Sequence, residues 1–175
     1  MAILNIVKVG DPVLRKTCRP IDNISGRIKR LAEDMVDTLH KAEGAGLAAP
    51  QVGVLRRMVV VEVEEGKTYV MINPEIVSRD GRQRAVEGCL SIPGEWGVTD
   101  RPETVTVSFT DLDGETQTVS GSGLFARCVC HELDHLDGRL YTDGAIMLDK
   151  EEIEQLEEGE FDPEEKIRRA EEKND

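Results

Sequence analysis

Long apolar runs are missing from this chain of 175 residues. The longest, such as Met58-Val59-Val60-Val61, fall far short of the roughly 20 residues that a membrane-spanning helix needs. That excludes a helical membrane protein. Aromatic residues make up only 3%, so Val, Ile, Leu and Ala must fill the interior. No long Lys/Arg cluster occurs, and the formal net charge is −13. A field of that sign repels a phosphate backbone, so nucleic acid is not an expected partner. The opening MAILNIVKVG has no basic stretch, apolar core or small-residue cleavage site. No secretory signal is visible, and the expected address is the cytoplasm. Cysteine occurs four times, at 18, 89, 128 and 130, and histidine three times, at 40, 131 and 135. In a cytosolic chain such cysteines are thiols or metal ligands, not a disulfide framework.

What is present fits one domain with one real core: 39% hydrophobic and 33% charged residues. Charge is uneven. Residues 150–175 hold twelve acids and five bases, a net −7. The expected division is therefore a catalytic body over 1–148 and an acidic helical tail over 149–175. From Ser25, the residues Ile28, Leu31, Ala32, Met35, Val36 and Leu39 fall at helical spacing, with Gly44 as the stop. Segments 57–63 and 68–72 read as strands, with Asn73-Pro74 ending or kinking the second. Segments 104–110 and 115–119 flank an Asp-Gly pair and read as a hairpin. Ser122 is placed to cap a second helix that ends near Gly138. The elements do not alternate as βαβ units would. The expected fold is α+β, with mostly antiparallel strands packed around the second helix. In the tail, Ile153 and Leu156 predict a short helix and Asp162-Pro163 a capped restart, both read as solvated.

The sharpest signal is His131-Glu132-Leu133-Asp134-His135, an H-E-x-x-H segment inside the second helix. Histidines four residues apart share one face, so both imidazoles can reach one cation. Glu132 is turned by about 100° from His131, where a carboxylate could take a proton from water beside that cation. The plain alternative is two core histidines and an exposed glutamate. Catalytic sites usually have three protein ligands and one open position. A metzincin pattern has its glycine at Gly138 but would need a ligand where Tyr141 stands. Glu154 or Glu157 could serve a thermolysin-like site. Cys128 shares the face of His131 but lies about 10 Å along the axis from His135. Cys128 and Cys130 point about 200° apart and should not pair with each other. Cys89 sits in EGCLSIPG, where Gly88 and Pro93-Gly94 fix the backbone. A cysteine held this way, with the Leu90 amide beside it, suits a ligand next to an oxyanion site; a buried thiol is the plainer reading.

Three segments together, GAGLAAPQVG (44–53), EGCLSIPG (87–94) and HELDHLDG (131–138), resemble the three signature motifs of peptide deformylases, in the same order. The resemblance implies an α+β domain with the H-E-x-x-H helix at its centre. It implies hydrolysis of the N-formyl group from formyl-methionyl peptides leaving the ribosome. It implies metal ligands Cys89, His131 and His135 around one divalent ion, natively ferrous iron, with zinc, nickel or cobalt also accepted. It implies Glu132 as general base, Gln51 and the Leu90 N–H as oxyanion donors, and Gly46 as an aligner of the peptide backbone. Arg101 would brace the cysteine loop through Glu87, and Leu124 and Cys128 fall where the family lines its methionine pocket. Departures are Cys130, where glutamine usually precedes the first histidine, and Ala45, smaller than the usual branched residue. In some bacterial members the C-terminal helix docks on the ribosome; here the tail is acidic, and Arg168-Arg169 would be its contact. Two other classes compete: a zinc endopeptidase with a glutamate as third ligand, and a metal-stabilised module that binds formylated N-termini without cutting them.

Overall fold

The computed structural model describes residues 2–174. Ser25 accepts the Ile28 N–H at the start of helix α1, Gly26–Ala42. The helix ends at Ala42, two residues before the expected glycine. Glu43 takes a left-handed φ of 55°, and the Gly44 N–H returns to the Leu39 carbonyl. Glycine at 44 leaves room for the leucine side chains around it: a Cβ there would stand 2.9 Å from Leu90 Cδ1.

Among the described residues, eight strands follow in two sheets: β1 Gly46–Ala48, β2 Met58–Val61, β3 Tyr69–Asp80, β4 Gln83–Cys89, β5 Ile92–Arg101, β6 Thr104–Thr110, β7 Thr116–Ser122 and β8 Ile146–Met147. The larger sheet runs β1-β2-β3-β6-β7 and the smaller β4-β5-β8. Every ladder between these strands is antiparallel. Asn73-Pro74 kinks β3 without ending it. The ladder slips between Ile72 and Glu75, and Asn73 turns left-handed with its amide bonded to both backbone groups of Ile21.

The run Met58-Val59-Val60-Val61 shows why this sheet is central. All four side chains are buried, and alternation sends them to opposite faces. Val59 and Val61 join the cluster around helix α2, Leu124–Leu136, with Ala126, Val129, Leu133 and Leu136. Met58 and Val60 join the cluster of α1 with Ala32, Met35 and Leu39. The larger sheet is thus covered by one helix on each face, and a strand buried on both faces reads as a continuous apolar run. The α+β architecture around the second helix is as expected.

Ser122 does not cap α2. It ends β7, where its hydroxyl pairs with Thr104, and Gly123 at φ 61° makes the sharp entry to the helix. A left-handed turn between strand and helix needs glycine more than a side-chain cap.

The tail forms α3, Lys150–Glu157, and α4, Pro163–Lys173. Asp149 and Asp162 cap them through their side chains. The tail is not merely solvated: Ile167 is buried against Val98 and Leu148, and Arg84 of β4 reaches Glu164 and Glu171. No helix among the described residues is long and apolar enough to cross a membrane.

Candidate metal centre

α2 is buried almost all round, and its buried residues include Arg127, His131, Glu132 and His135. Such groups cost several kcal/mol each to desolvate unless partners offset it, so their partners define the site. His131 and His135 approach with their Nε2 atoms 3.2 Å apart. The Cys89 Sγ lies 3.4 Å from His135 Nε2. The donor atoms of Cys89, His131 and His135 all fall within 4.8 Å of one another. The cysteine at the end of β4 and the helical pair therefore converge. Glu154 and Glu157, the alternatives for a third ligand, lie in α3 outside this cluster.

One thiol and two imidazoles suit a divalent first-row transition ion. The surroundings fit as well. His131 Nδ1 lies 2.6 Å from Glu87 Oε2, which turns Nε2 toward the cluster. Burial and the neighbouring His131 hold His135 down at about 3, so its ring is neutral. Burial would lower His131, but Glu132, Cys89 and Glu87 raise it well above the usual histidine range. Burial raises Glu132 to about 7, and its Oε1 is buried without a partner among the described residues.

Glu87 is the hub beneath the cluster. Its Oε1 accepts from Thr99 (2.9 Å), Arg101 Nε (3.2 Å) and Arg127 Nη1 (2.9 Å); its Oε2 accepts from Arg101 Nη2 (2.7 Å) and faces His131. Burial would raise this carboxyl, yet His131 and Arg101 hold it well below the usual carboxylate range. Arg101 continues to Asp134 at 2.7 Å. The brace between Arg101 and Glu87 is therefore present. Arg127 and Thr99 were not foreseen as members. The signal for Arg127 was available: it precedes His131 by four residues and so shares its helical face.

The cluster opens on a cavity of about 470 Å³ lined by residues of β1, β4, β5 and α2. Gln51, Leu90, Glu132, Leu124 and Cys128 all line it. Gln51 accepts the Ala48 N–H through Oε1, while its Nε2 donates to Ser91 Oγ at 3.1 Å and lies 3.6 Å from Cys89 Sγ. Gly46 has a role that its size alone did not reveal. A Cβ there would stand 2.5 Å from Glu132 Oε2 and 2.7 Å from Cys128 Sγ. The missing side chain makes room for α2. Cys130 faces away, into a groove with Arg57, Arg79 and Asp134, and all four cysteines are free. β1 and β4 are each the edge of their sheet, and both border the cavity. An extended peptide entering it would meet unpaired backbone groups on both sides.

Comparison with known proteins agrees with this geometry. Residues 3–151 match the family model described as polypeptide deformylase. A peptide deformylase of Finegoldia magna is 49% identical over 159 residues, covering 89% of this chain and 98% of the relative. One from Caldanaerobacter subterraneus subsp. tengcongensis is 50% identical, covering 90% and 99%. The crystal structure of a peptide deformylase from Legionella pneumophila superposes with a TM-score of 0.80 at 40% identity, covering 85% of this chain and 88% of that one.

Proposed function

The chain belongs to the polypeptide deformylase family, and from that premise we propose how its cavity works. It is a hydrolase that removes the N-formyl group from newly made polypeptides, and its family is metal-dependent. The observation that carries the residue assignment is the convergence of Cys89, His131 and His135 beside a buried glutamate oxygen with no partner among the described residues.

Cys89, His131 and His135 would hold one divalent cation, ferrous iron in the cell, with zinc, nickel or cobalt able to replace it. When bound, the cation supplies a concentrated positive charge that polarises the carbonyl and acidifies water. The peptide lies extended between the edges of β1 and β4, with the Gly46 backbone in register beside it. Glu132 takes a proton from the attacking water. The water oxygen forms a bond to the formyl carbon, and the carbonyl oxygen becomes an oxyanion. Gln51 Nε2 and the Leu90 N–H donate to that oxyanion; one such donor is typically worth about 2.7–4 kcal/mol of barrier. Glu132 then gives its proton to the amide nitrogen. The C–N bond breaks, leaving formate and a free N-terminal amine. Leu124 and Cys128 line the part of the cavity that takes the methionine side chain.

We take residues 1–148 as the catalytic body and 149–175 as a tail packed on it, working in the cytoplasm where formylated chains emerge. A contact with the ribosome would run through Arg168 and Arg169, which pair within α4 with Glu172 and Glu165. Cosedimentation with ribosomes at low and physiological salt tests that contact.

The deciding experiment is formate release from a formyl-methionyl peptide, with metal analysis of anaerobically purified protein. Wild type should release formate with one ion per chain, and Glu132→Ala should keep the ion and lose the release. Equal release by both would end the assignment. Cys89→Ser should lose the ion; a protease with a glutamate ligand would keep it, and a pure binding module would release no formate at all.

A further inference from the structure

Residues 2–9 form no helix or strand, yet their backbone is tied down at intervals. Near its start the segment lies on α1: the Ala2 N–H donates to Asp34 Oδ1 and the Leu4 N–H to Thr38 Oγ1, both at 2.9 Å. Further on it leaves that helix. The Val7 N–H donates to the Gln51 carbonyl at 2.7 Å, and the Val9 N–H to the Ser91 carbonyl at 2.8 Å. Between them, Lys8 Nζ lies 3.4 Å from the Leu90 carbonyl. The Val7 side chain packs into the cluster of Leu14, Ile92 and Tyr141, which Cys89 also borders. Three consecutive residues thus hold Gln51, Leu90 and Ser91, while Val7, Lys8 and Val9 themselves stay out of the cavity lining.

Those contacts fall on the backbone that carries the two oxyanion donors. Gln51 sits in a single turn, Ala49–Val52, which follows β1 of the larger sheet. Leu90 and Ser91 are the two-residue turn between Cys89 and Ile92, which pair across it in the smaller sheet. The donors therefore come from different sheets, each on a short irregular piece of chain. Among the described residues, no ladder joins those sheets and fixes the spacing. An oxyanion needs both donors within hydrogen-bond reach at once, and a misplacement of about 1 Å can cost about a hundredfold in rate. Gln51 Nε2 reaches the buried Ser91 Oγ at 3.1 Å, which joins the side chain to the turn. Residues 7–9 join the two backbones. Alternate N–H groups of an extended chain point the same way, about 6.6 Å apart, so the segment acts as a spacer. We infer that Val7, Lys8 and Val9 are positioning residues that brace the Gln51 turn against the Leu90-Ser91 turn and so hold the two donors at their working distance. This rests on the reading that Gln51 Nε2 and the Leu90 N–H donate to the oxyanion.

Cys18 makes the test practical. A synthetic segment 1–17, joined to residues 18–175 at that thiol, gives the full chain with one backbone N–H replaced by an ester oxygen and every side chain kept. Loss of the N–H at Val7 or Val9 should lower kcat for a formyl-Met peptide about tenfold, with KM and bound metal unchanged. Loss at Leu4 is the control. It removes a bond to α1 from the same segment, so stability should fall as much while kcat holds. Lys8→Met should lower kcat about threefold, and Lys8→Arg should restore it. Wild-type kcat in the Val7 and Val9 esters, or an equal loss in the Leu4 ester, overturns the proposal. Should the joined chain not refold, the two Lys8 variants decide, and wild-type kcat in Lys8→Met overturns it. The Gln51→Ala background separates the brace from the reading beneath it. There the Val7 ester should cost nothing further, because the donor it positions is gone; a second tenfold loss overturns the brace and leaves the oxyanion reading intact. Gln51→Ala at the wild-type rate strikes at that reading itself, and the brace falls with it.

Discussion

Glu87 Oε2 and His131 Nδ1 lie 2.6 Å apart, and the same carboxylate takes four further hydrogen bonds from Thr99, Arg101 and Arg127. One buried acid thus orients an imidazole of the cluster and pairs with the buried Arg127 and the part-buried Arg101, the latter also paired with Asp134. Histidines that hold a metal commonly lean on such a partner, which fixes the ring and strengthens the donor.

Replacing Glu87 by Gln keeps the shape and removes the charge. Its amide nitrogen can no longer accept, so at least two of the donors lose their acceptor. We expect metal affinity to fall by roughly 10- to 100-fold and stability by about 3–5 kcal/mol, since the buried guanidinium of Arg127 and the part-buried one of Arg101 are left underpaired. Chelator competition and urea unfolding measure the two effects separately.

Gly46→Ala puts a methyl group where Glu132 Oε2 and Cys128 Sγ already stand. Overpacking of this kind costs about 1–3 kcal/mol. It should also push Glu132 out of place, so formate release should drop more than the bound metal does. Unchanged turnover in the variant would show that Glu132 tolerates being moved.

The four thiols should separate by reactivity. Burial pushes Cys18 up to about 11 and raises Cys128 and Cys130 as well, so few thiolates exist at those positions near neutral pH. Cys89 is less buried. In metal-free protein, timed alkylation followed by peptide mass mapping should mark Cys89 first. Loading zinc should protect it and leave the other three as slow as before.

Ile167→Ala should loosen the tail. The side chain is buried against Val98 and Leu148, and its loss should cost about 2 kcal/mol, the low end for large-to-small changes because α4 can resettle or undock. Limited proteolysis should then cut residues 158–175 faster, while formate release stays close to wild type.

The sequence was most informative where local pattern and chemistry coincide. His131, Glu132 and His135 were readable because helical spacing alone places them, and β6–β7 because alternation meets a turn signal. β4 and β5 were not foreseen as strands: QRAVEGC and IPGEWGVTDR mix charge, glycine and proline, and their pairing is set by what they pack against. Arg127 was missed because an arginine in a helical pattern reads as solvent-facing, whereas its buried place is secured by Glu87 across the fold. Ser122 misled for a similar reason. It has the chemistry of a cap, but β7 claims it first. The docking of Ile167 depends on one apolar residue among charges, too weak a stripe to announce a buried face.

α2 supplies Val129, Leu133 and Leu136 to the interior and His131, Glu132 and His135 to the reactive cluster from the same four turns. Folding and catalysis therefore share one backbone segment. A partly melted form that keeps its ion has nowhere to exist. An ion held at the cluster acts as a rivet through the centre of the molecule, and stripping it should lower the melting temperature of the entire body, not just silence the active site.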